Sequence, residues 1–550
     1  MRPREPRTTL ETHEVTNQPP PFEEVNLYAS DLGLREAIER AGAGGAENRL
    51  QVFGSRVGSA EVAEWAIQAN RNPPELRNFD RYGHRIDEVS YHPAYHNLME
   101  LGLTNGIACA AWTGESAGHT VHAALLFLMT QAEPSVCCPM SMTYAGVAAL
   151  QSRPDPAATW VQSLTRPAYD PASRPMAEKS AATLGMAMTE KQGGSDVRAN
   201  TTAAHSLGDG TYELVGHKWF CSAPMSDGFL TLAQAEGGLT CFLVPRWRPD
   251  GTRNPIHIMR LKDKLGDRAN ASSEIEYHGA MAWRVGEEGR GVRTIIEMVQ
   301  HTRLDCTVAP AAQMRQAVAN ACWHAAHRTA FQRRLLDQPL MRQVLADLIL
   351  ESEAATALAF RIAQSFDART TDAQAAAFAR VATPVGKYWL NKRLPNLVYE
   401  AMEAHGGAGY VEESVMPRIY RQAPLNSIWE GSGNVICLDV LRALQRAPEA
   451  GEAILAEVAA TRGHNAHLDA FVDALKDRFK SNALAEADGR RLTEDLALAL
   501  QGSLLIRHAP AAVADAFCVA RLSAEGGYSY GTSVRDADVD SIIARGMPQL

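Results

Sequence analysis

The sequence has no CxxC pair among its nine cysteines, no apolar run long enough to span a bilayer and no excess of positive charge. Each absence excludes something. The cysteines stand singly apart from Cys137 and Cys138, their number is odd, and their spacing shows no framework. That excludes a disulfide scaffold and a paired-thiolate zinc site, and the thiols read as reduced, small core residues. Lys and Arg number 54 against 63 Asp and Glu, a formal net charge of -9. Such a balance disfavours binding polyanions through the whole surface and leaves open only a local basic patch. The N-terminal segment MRPREPRTTLETHEVTNQPPPFEE has no apolar h-region, so no signal peptide is expected. Two charge-free stretches, 116–132 and 134–152, carry histidines, prolines and hydroxyls and are not apolar enough to cross a membrane. A soluble, cytoplasmic protein without a membrane partner is expected. His324-x-x-His327 and His464-x-x-His467 have helical spacing but no third ligand nearby in sequence. They read as surface or core pairs, and no metal site is expected.

What the chain does have is length. Its 550 residues, 46% hydrophobic, can bury two to four cores. Residues 1–34 read as an extended arm, because Pro19–Pro21 cannot be helical and little there is apolar. Residues 35–185 read as a helical domain, with helical spacing around Ala60–Ala69 and Leu125–Met129, broken at Pro73–Pro74, Pro134 and 165–175. Residues 186–285 read as a β domain. Thr211–Val215 and Glu274–Tyr277 alternate, Leu239–Val244 is rich in β-favouring residues, and Gly208-Asp-Gly and Glu236-Gly-Gly supply turns. Residues 286–440 read as a helical bundle, with apolar positions three or four apart from Leu345 to Phe366 and from Val381 to Met402. Residues 441–550 read as a further helical extension, and no internal repeat is present. The fold class is therefore α+β.

Four segments carry chemistry. In Met186-Ala-Met-Thr-Glu-Lys-Gln-Gly-Gly-Ser-Asp, Gly193 and Gly194 let a ligand approach the backbone, and Thr189 and Ser195 offer hydroxyls. The same composition suits a polar loop with a Gly-Gly turn. In Gly216-His-Lys-Trp-Phe-Cys-Ser, an aromatic followed two residues later by a hydroxyl could cover a flat ring and bond its edge, or the aromatics could be core. In Leu425-Asn-Ser-Ile-Trp-Glu-Gly-Ser-Gly-Asn, Glu430 stands between an indole and a Gly-Ser-Gly turn. A carboxylate held against an aromatic in a dry site gains basicity, which suits a general base; a solvated acid before a helix has the same sequence. Glu403-Ala-His-Gly-Gly-Ala-Gly-Tyr is a Gly-rich loop with no strand before it, which argues against a dinucleotide fingerprint of the GxGxxG kind.

Together and in this order, these segments resemble the acyl-CoA dehydrogenase family over about residues 35–440. Met188–Asp196 looks like its flavin loop, Lys218–Ser222 like the strand stacked on the flavin, Gly406–Tyr410 like the loop touching the dinucleotide, and Trp429–Asn434 like the segment bearing the base. Lys264-Leu-Gly with Gly286–Gly291, and Arg328-x-x-Phe331, add to the match. Within the family the chain is most similar to the AidB branch, flavoproteins of the adaptive response to DNA alkylation. Asn17-Gln-Pro-Pro, Asn72-Pro-Pro-Glu-Leu and Glu190–Val197 carry that similarity.

The resemblance implies FAD as cofactor, a homotetramer and a small acyl-CoA-like substrate. It implies that Glu430 is the base and that Thr189 and Ser195 bond the flavin and its phosphate linker. Phe220 would face the ring, Ser222 would lie near flavin N5, and Gly431, Ser432 and Asn434 would contact FAD. The same blocks put Met186, Met188, Gly194, Cys221, Trp429 and Gly433 on the cofactor's surface, and Arg328 and Phe331 on a neighbouring subunit's FAD. The chain departs from the family in four places. Thr302 stands before Arg303, where some members carry the base. Lys191-Gln192, Gln332 and Glu403 replace the usual residues.

The resemblance also implies double-stranded DNA binding through the extension, with protection of DNA and weak or residual dehydrogenase activity. Residues 441–550 hold 12 Lys plus Arg against 15 Asp plus Glu, which on charge alone argues for an ordinary solvated or packing surface. Arg442, Arg446, Arg478, Lys480, Arg490, Arg491 and Arg521 are the candidates for a local DNA-binding face. The stretch Arg246–Arg268 is a second basic segment. The alternative is a working dehydrogenase, or a related flavin oxidase, without DNA binding.

Overall fold

The structure is a computed structural model that describes residues 11–151, 153–480, 485–524 and 526–549. The expected arm therefore lies outside the described residues for positions 1–10. The described part is not loose. Trp323 Nε1 donates to the Pro20 carbonyl at 2.8 Å, Phe22 packs on the Trp323 ring, and Asn17 Nδ2 donates to the Thr329 carbonyl at 2.8 Å. Val25 and Tyr28 are buried, so the arm ends before position 34. Helix α1 (Leu32–Arg40) already begins there, capped by Asp31, whose carboxylate accepts from Leu34 N.

The first domain continues through α2 (Glu47–Val57) and α3 (Ala60–Arg71). The chain then forms an antiparallel hairpin of β1 (Glu75–Phe79) and β2 (Arg85–Ser90) where only helices were expected. Its charged residues hide the strand alternation, because much of the hairpin's anchoring is polar. Asp87 Oδ1 accepts from Ile258 N at 2.9 Å, and Asn78 Nδ2 donates to the Ile258 carbonyl at 2.6 Å. Helices α4 (Pro93–Thr104), α5 (Gly118–Ala132), α6 (Pro134–Leu150) and α7 (Ala157–Leu164) follow. The charge-free stretches are α5 and α6. Nearly all their residues are buried, which is why they have no charged face. Among the described residues no helix is long and apolar enough to cross a membrane.

The β domain comprises β3 (Leu184–Ala187), β4 (Ala203–Ser206), β5 (Thr211–Ser222), β6 (Gly228–Ala235), β7 (Gly238–Pro245), β8 (Ile256–Leu261) and β9 (Ser272–Val285). The pairings β4–β5–β9–β7–β6–β4 close a ring, with β3 added on β6 and β8 on β9. Closure leaves β3 and β8 as edge strands and lets a small barrel bury Leu214, Phe229, Phe242, Ile275 and Tyr277.

Three long helices, α8 (Gly291–His327), α9 (Pro339–Ala368) and α10 (Ala373–Glu403), form the bundle. The spaced apolar positions from Leu345 to Phe366 and from Val381 to Met402 are all buried in it. The short α11 (Gly407–Tyr410) and α12 (Met416–Gln422) lead to α13 (Gly433–Arg446). The division expected at 440/441 falls inside α13. Beyond it come α14 (Pro448–Ala459), α15 (Ala466–Lys480), α16 (Gly489–His508), α17 (Ala511–Leu522) and α18 (Val539–Gly546). These do not stand apart from the bundle. Trp389 Nε1 on α10 donates to Gln501 Oε1 at 2.9 Å, and Arg315 on α8 donates to the Gly546 carbonyl at 2.7 Å. All nine cysteines are buried and free.

Candidate active site

Glu430 sits on the loop between α12 and α13, and the fold builds that loop from three sides. Lys387 on α10 is buried, and its ammonium donates to the carbonyls of Asn426 at 2.9 Å and Gly431 at 2.8 Å. Arg303 on α8 donates from Nε to the Glu430 carbonyl at 3.1 Å and from Nη1 to Asp439 at 2.7 Å. Trp429 Nε1 donates to Asn426 Oδ1 at 2.6 Å. These bonds hold Glu430 at φ +57°, a left-handed conformation that a non-glycine residue rarely adopts. Gly431 follows at φ +103°, where a Cβ would meet Ile436 at 3.1 Å and Arg303 at 3.4 Å. The positive φ therefore favours glycine at this turn, and an added Cβ would press on Ile436.

The carboxyl of Glu430 lies among protein atoms, although the residue keeps part of its surface accessible. Among the described residues its one side-chain donor is Thr302 Oγ1, at 2.8 Å from Oε2. Burial pushes its pKa up from the ordinary carboxylate value, against the Thr302 bond and the charges of Arg303 and Lys387, and an uncompensated charge on Asp305 would add to the rise. A carboxylate shielded by protein, with raised basicity and few donors, is fitted to take a proton from a bound substrate.

The second part of the site lies on the barrel. Strand β5 is bulged: Lys218 faces Ile275 and Cys221 faces Ser273, so three steps on β5 span two on β9. The bulge breaks the alternation. Lys218 points inward and is fully buried, while Phe220, two residues on, is 49% exposed. Lys262 Nζ lies 3.3 Å from the Trp219 ring centroid and 4.8 Å from that of Phe220. Beside them Ser222 and Ser272 share a hydrogen bond of 3.0 Å, and Lys264 Nζ donates to Ser272 Oγ at 3.1 Å. A ring face bordered by hydroxyls and cations results. The bulge also corrects one expectation. The Cys221 side chain is fully buried in the barrel interior and cannot contact a cofactor on the outer face.

The loop entering the barrel is held by Glu190, which is fully buried. Its carboxylate accepts from Lys218 Nζ at 2.9 Å, Thr201 N at 2.7 Å, Thr202 N at 3.1 Å and Gln192 Nε2 at 2.7 Å. Thr189 O accepts from Trp219 N at 2.8 Å, tying the loop to the bulge. A Cβ on Gly194 would lie 2.4 Å from Thr189 Oγ1, so only glycine lets that hydroxyl lie alongside. Gly194 and Ser195 are exposed, Met188 is half-buried, and Met186 is largely buried in β3. Of the α13 residues, Ser432 and Asn434 are exposed, Gly433 is half-buried, and Asn434 Oδ1 accepts from Arg490 Nε at 2.8 Å.

Arg328 is not gathered with Glu430. Its guanidinium donates to the Asn17 carbonyl, and Phe331 nearby is 92% exposed at φ +51°. Among the candidate DNA-binding residues, the structure removes Arg521. Its side chain is 11% exposed and bonded to Asp347 and Glu351, because it locks α17 onto α9. Arg478 and Arg491 both bond the buried Asp495. Arg442 and Arg446 are exposed on α13, and the Lys480 side chain lies outside the described residues. In the segment Arg246–Arg268, Arg246 is buried, and Arg260, Lys262 and Lys264 pair with Glu274 or Asp267. Sequence reasoning missed Lys387, Glu190 and Asp439; a buried lysine in an otherwise apolar helical stripe was the available signal.

Three family models match the chain: the adaptive response protein AidB N-terminal domain over residues 17–171, the acyl-CoA dehydrogenase middle domain over 185–280, and the acyl-CoA dehydrogenase C-terminal domain over 289–445. The chain is 44% identical to the AidB protein of Escherichia coli (strain K12), over 96% of this chain and 97% of that one. It is 33% identical to acyl-CoA dehydrogenase family member 11 of Caenorhabditis elegans, over 72% and 66% of the two chains. The crystal structure of Caenorhabditis elegans ACDH-11 in complex with C11-CoA superposes with a TM-score of 0.83 at 27% identity, covering 93% of each chain.

Proposed function

Because the chain belongs to the acyl-CoA dehydrogenase family, in its AidB branch, we propose that it is an FAD-dependent oxidoreductase acting on CH–CH bonds. Glu430 removes the proton α to the thioester of a small acyl-CoA. The residues present fit the cofactor. The exposed face of Phe220, rimmed by Ser222, Ser272 and Lys264, suits a planar ring with a polar edge, and the exposed backbone at Gly194–Ser195 suits a phosphate linker. Thr189, Ser195, Phe220 and Ser222 would hold FAD with Gly431, Ser432 and Asn434. Arg328 and Phe331 stand apart from Glu430 and would contact the FAD of a neighbouring subunit in a homotetramer. When bound, FAD supplies the acceptor for the hydride that leaves the β carbon.

The chain's own part is the proton. Glu430 Oε2 is held by Thr302, and the turn is fixed by Lys387 and Arg303, so the base enters each reaction already placed. The buried carboxylate with a single side-chain donor is the observation that carries this reading. Anaerobic titration of the yellow protein with short acyl-CoAs tests it. Rapid bleaching of the flavin is expected, and no bleaching with any of them would overturn it.

A second activity is proposed on the AidB kinship: binding of double-stranded DNA in a cytoplasmic response to alkylation, with dehydrogenation residual. Arg442 and Arg446, exposed and four residues apart on α13, favour it. Removing residues 441–550 would expose bundle core, so the test is R442E/R446E in the full chain. Loss of both contacts should lower the salt slope of binding by roughly two. No gel shift of the parent protein at low salt would exclude the activity.

A further inference from the structure

One turn along α8 from Thr302, Asp305 is bonded to a histidine that the proposed reaction does not use. His122 Nε2 lies 2.8 Å from Asp305 Oδ1, and Nδ1 lies 2.6 Å from the Ile107 carbonyl oxygen. Their side chains are 0% and 5% exposed. A carbonyl has no proton to give, so Nδ1 carries hydrogen, and one further proton sits between Nε2 and Oδ1. Whichever atom holds that proton, the pair has no net charge: imidazolium with carboxylate, or imidazole with carboxylic acid. The pair is closed in. Ser141 donates to Asp305 Oδ2, and Tyr144 stacks on the imidazole with centroids 3.5 Å apart and planes at 17°.

That neutrality matters because of where Asp305 stands. Thr302, the donor to Glu430, is three residues before it, on the order of 5 Å along the helix axis. A bare carboxylate at Asp305 would oppose ionisation of Glu430, as like charges do. Glu430 is faced by Thr302, Arg303, Asp305 and Cys306 from α8, Lys387 from α10 and Cys138 from α6. His122 is faced by Asp305 and His301 from α8, Tyr144 from α6, His119 on its own helix, and Asp367 near the end of α9, while Arg369 bonds the neighbouring His301. Asp305 belongs to both sets.

We infer that His122 is a positioning residue for the base: by holding Asp305 in a neutral pair, it keeps a second negative charge away from Glu430. The inference rests on Glu430 being the base. The experiment is exchange of the acyl α-hydrogen of butyryl-CoA into deuterium oxide by the FAD-loaded protein. It is followed by mass across pH, anaerobically and without an electron acceptor, so that net oxidation stops at one turnover. In His122→Gln the midpoint of the exchange profile should rise by on the order of one pH unit. In His122→Gln/Asp305→Asn it should return to the parent value, because the carboxylate has gone. Asp305→Asn alone keeps the pair neutral and should leave the midpoint in place. An unmoved midpoint in His122→Gln overturns the inference. If that variant does not fold, the isosteric Asp305→Asn decides: a lowered midpoint would mean that Asp305 carries net charge in the parent. No exchange in the parent, or undiminished exchange in Glu430→Gln, would instead overturn the base reading.

Discussion

Two loops of this molecule each place a glutamate next to a small-residue turn, and they do opposite things with it. In Thr189-Glu190-Lys-Gln-Gly-Gly-Ser, the carboxylate is fully buried and surrounded by donors from Lys218, Thr201, Thr202 and Gln192. Burial alone would push its pKa up, but those donors outweigh it and hold Glu190 well below the ordinary range. In Trp429-Glu430-Gly-Ser-Gly, burial wins, because Thr302 is the one side-chain donor and the cations nearby spend their hydrogen bonds on backbone carbonyls and Asp439. A carboxylate becomes a pin or a base according to how many donors meet it, not according to the residues beside it in sequence.

The largest break in that comparison is Glu430→Gln. A lost general base should cost about two to four orders of magnitude in the rate of flavin reduction by acyl-CoA. Stopped-flow absorbance would measure it, with the flavin still bound. Stability should not suffer. A carboxyl with a raised folded pKa contributes stability at low pH that is lost as the pH rises through that value, and glutamine removes the loss. Unchanged turnover would remove Glu430 from the mechanism.

Glu190→Gln should do the reverse, leaving the base intact and weakening the fold. It strands Lys218, whose ammonium is fully buried and already pushed down by burial. Breaking such a pair costs about 3–5 kcal/mol, seen as a lower denaturant midpoint. The pH dependence has a defined sign. Glu190 has a depressed folded pKa, so it contributes stability above its ordinary value of 4.5 that is lost as the pH falls below it. Parent and variant should therefore converge in acid. A constant difference down to pH 2 would show that the carboxylate's charge is not what matters.

The sequence made Glu430 visible and Glu190's role invisible, for one reason. Glu430 is accompanied by local signals, an indole and a glycine turn, whereas the partners of Glu190 other than Gln192 come from β5 and from the residues just before β4. The bundle was legible because long buried helices write their spacing directly, as from Leu345 to Phe366. The β1–β2 hairpin was not, because its anchoring is polar and distant in sequence, 180 residues between Asn78 and Ile258 and 167 between Ile86 and Arg253. Cys221 and Arg521 were misplaced for related reasons. A bulge changed which β5 residues face outward, and two acids on α9 drew a surface-looking arginine into the core.

Lys387→Met probes the loop without touching the carboxylate. It leaves the carbonyls of Asn426 and Gly431 without their donor and removes a cation that favours ionised Glu430. Unsatisfied buried carbonyls cost about 1–3 kcal/mol each when nothing replaces the donor. Flavin reduction should slow by about tenfold as the turn loosens, and its acid limb should move to higher pH. A variant with the parent's rate would mean that Arg303 alone holds the turn.

Thr302→Val is the mildest change and the sharpest on the comparison, since it takes Glu430 from one side-chain donor to none. Valine keeps the shape on α8 and removes the hydroxyl. The ionised carboxylate loses a hydrogen bond that the protonated form does not need, so the pKa of Glu430 rises further. The acid limb of flavin reduction should move up by at most about one pH unit, the size of one hydrogen bond to a charged group. At a pH well above the limb the rate should be close to the parent's, because the base is then ionised in both. A limb that moves down would mean that Thr302 accepts from a protonated Glu430 in the resting protein, and the carboxyl would then be waiting as an acid.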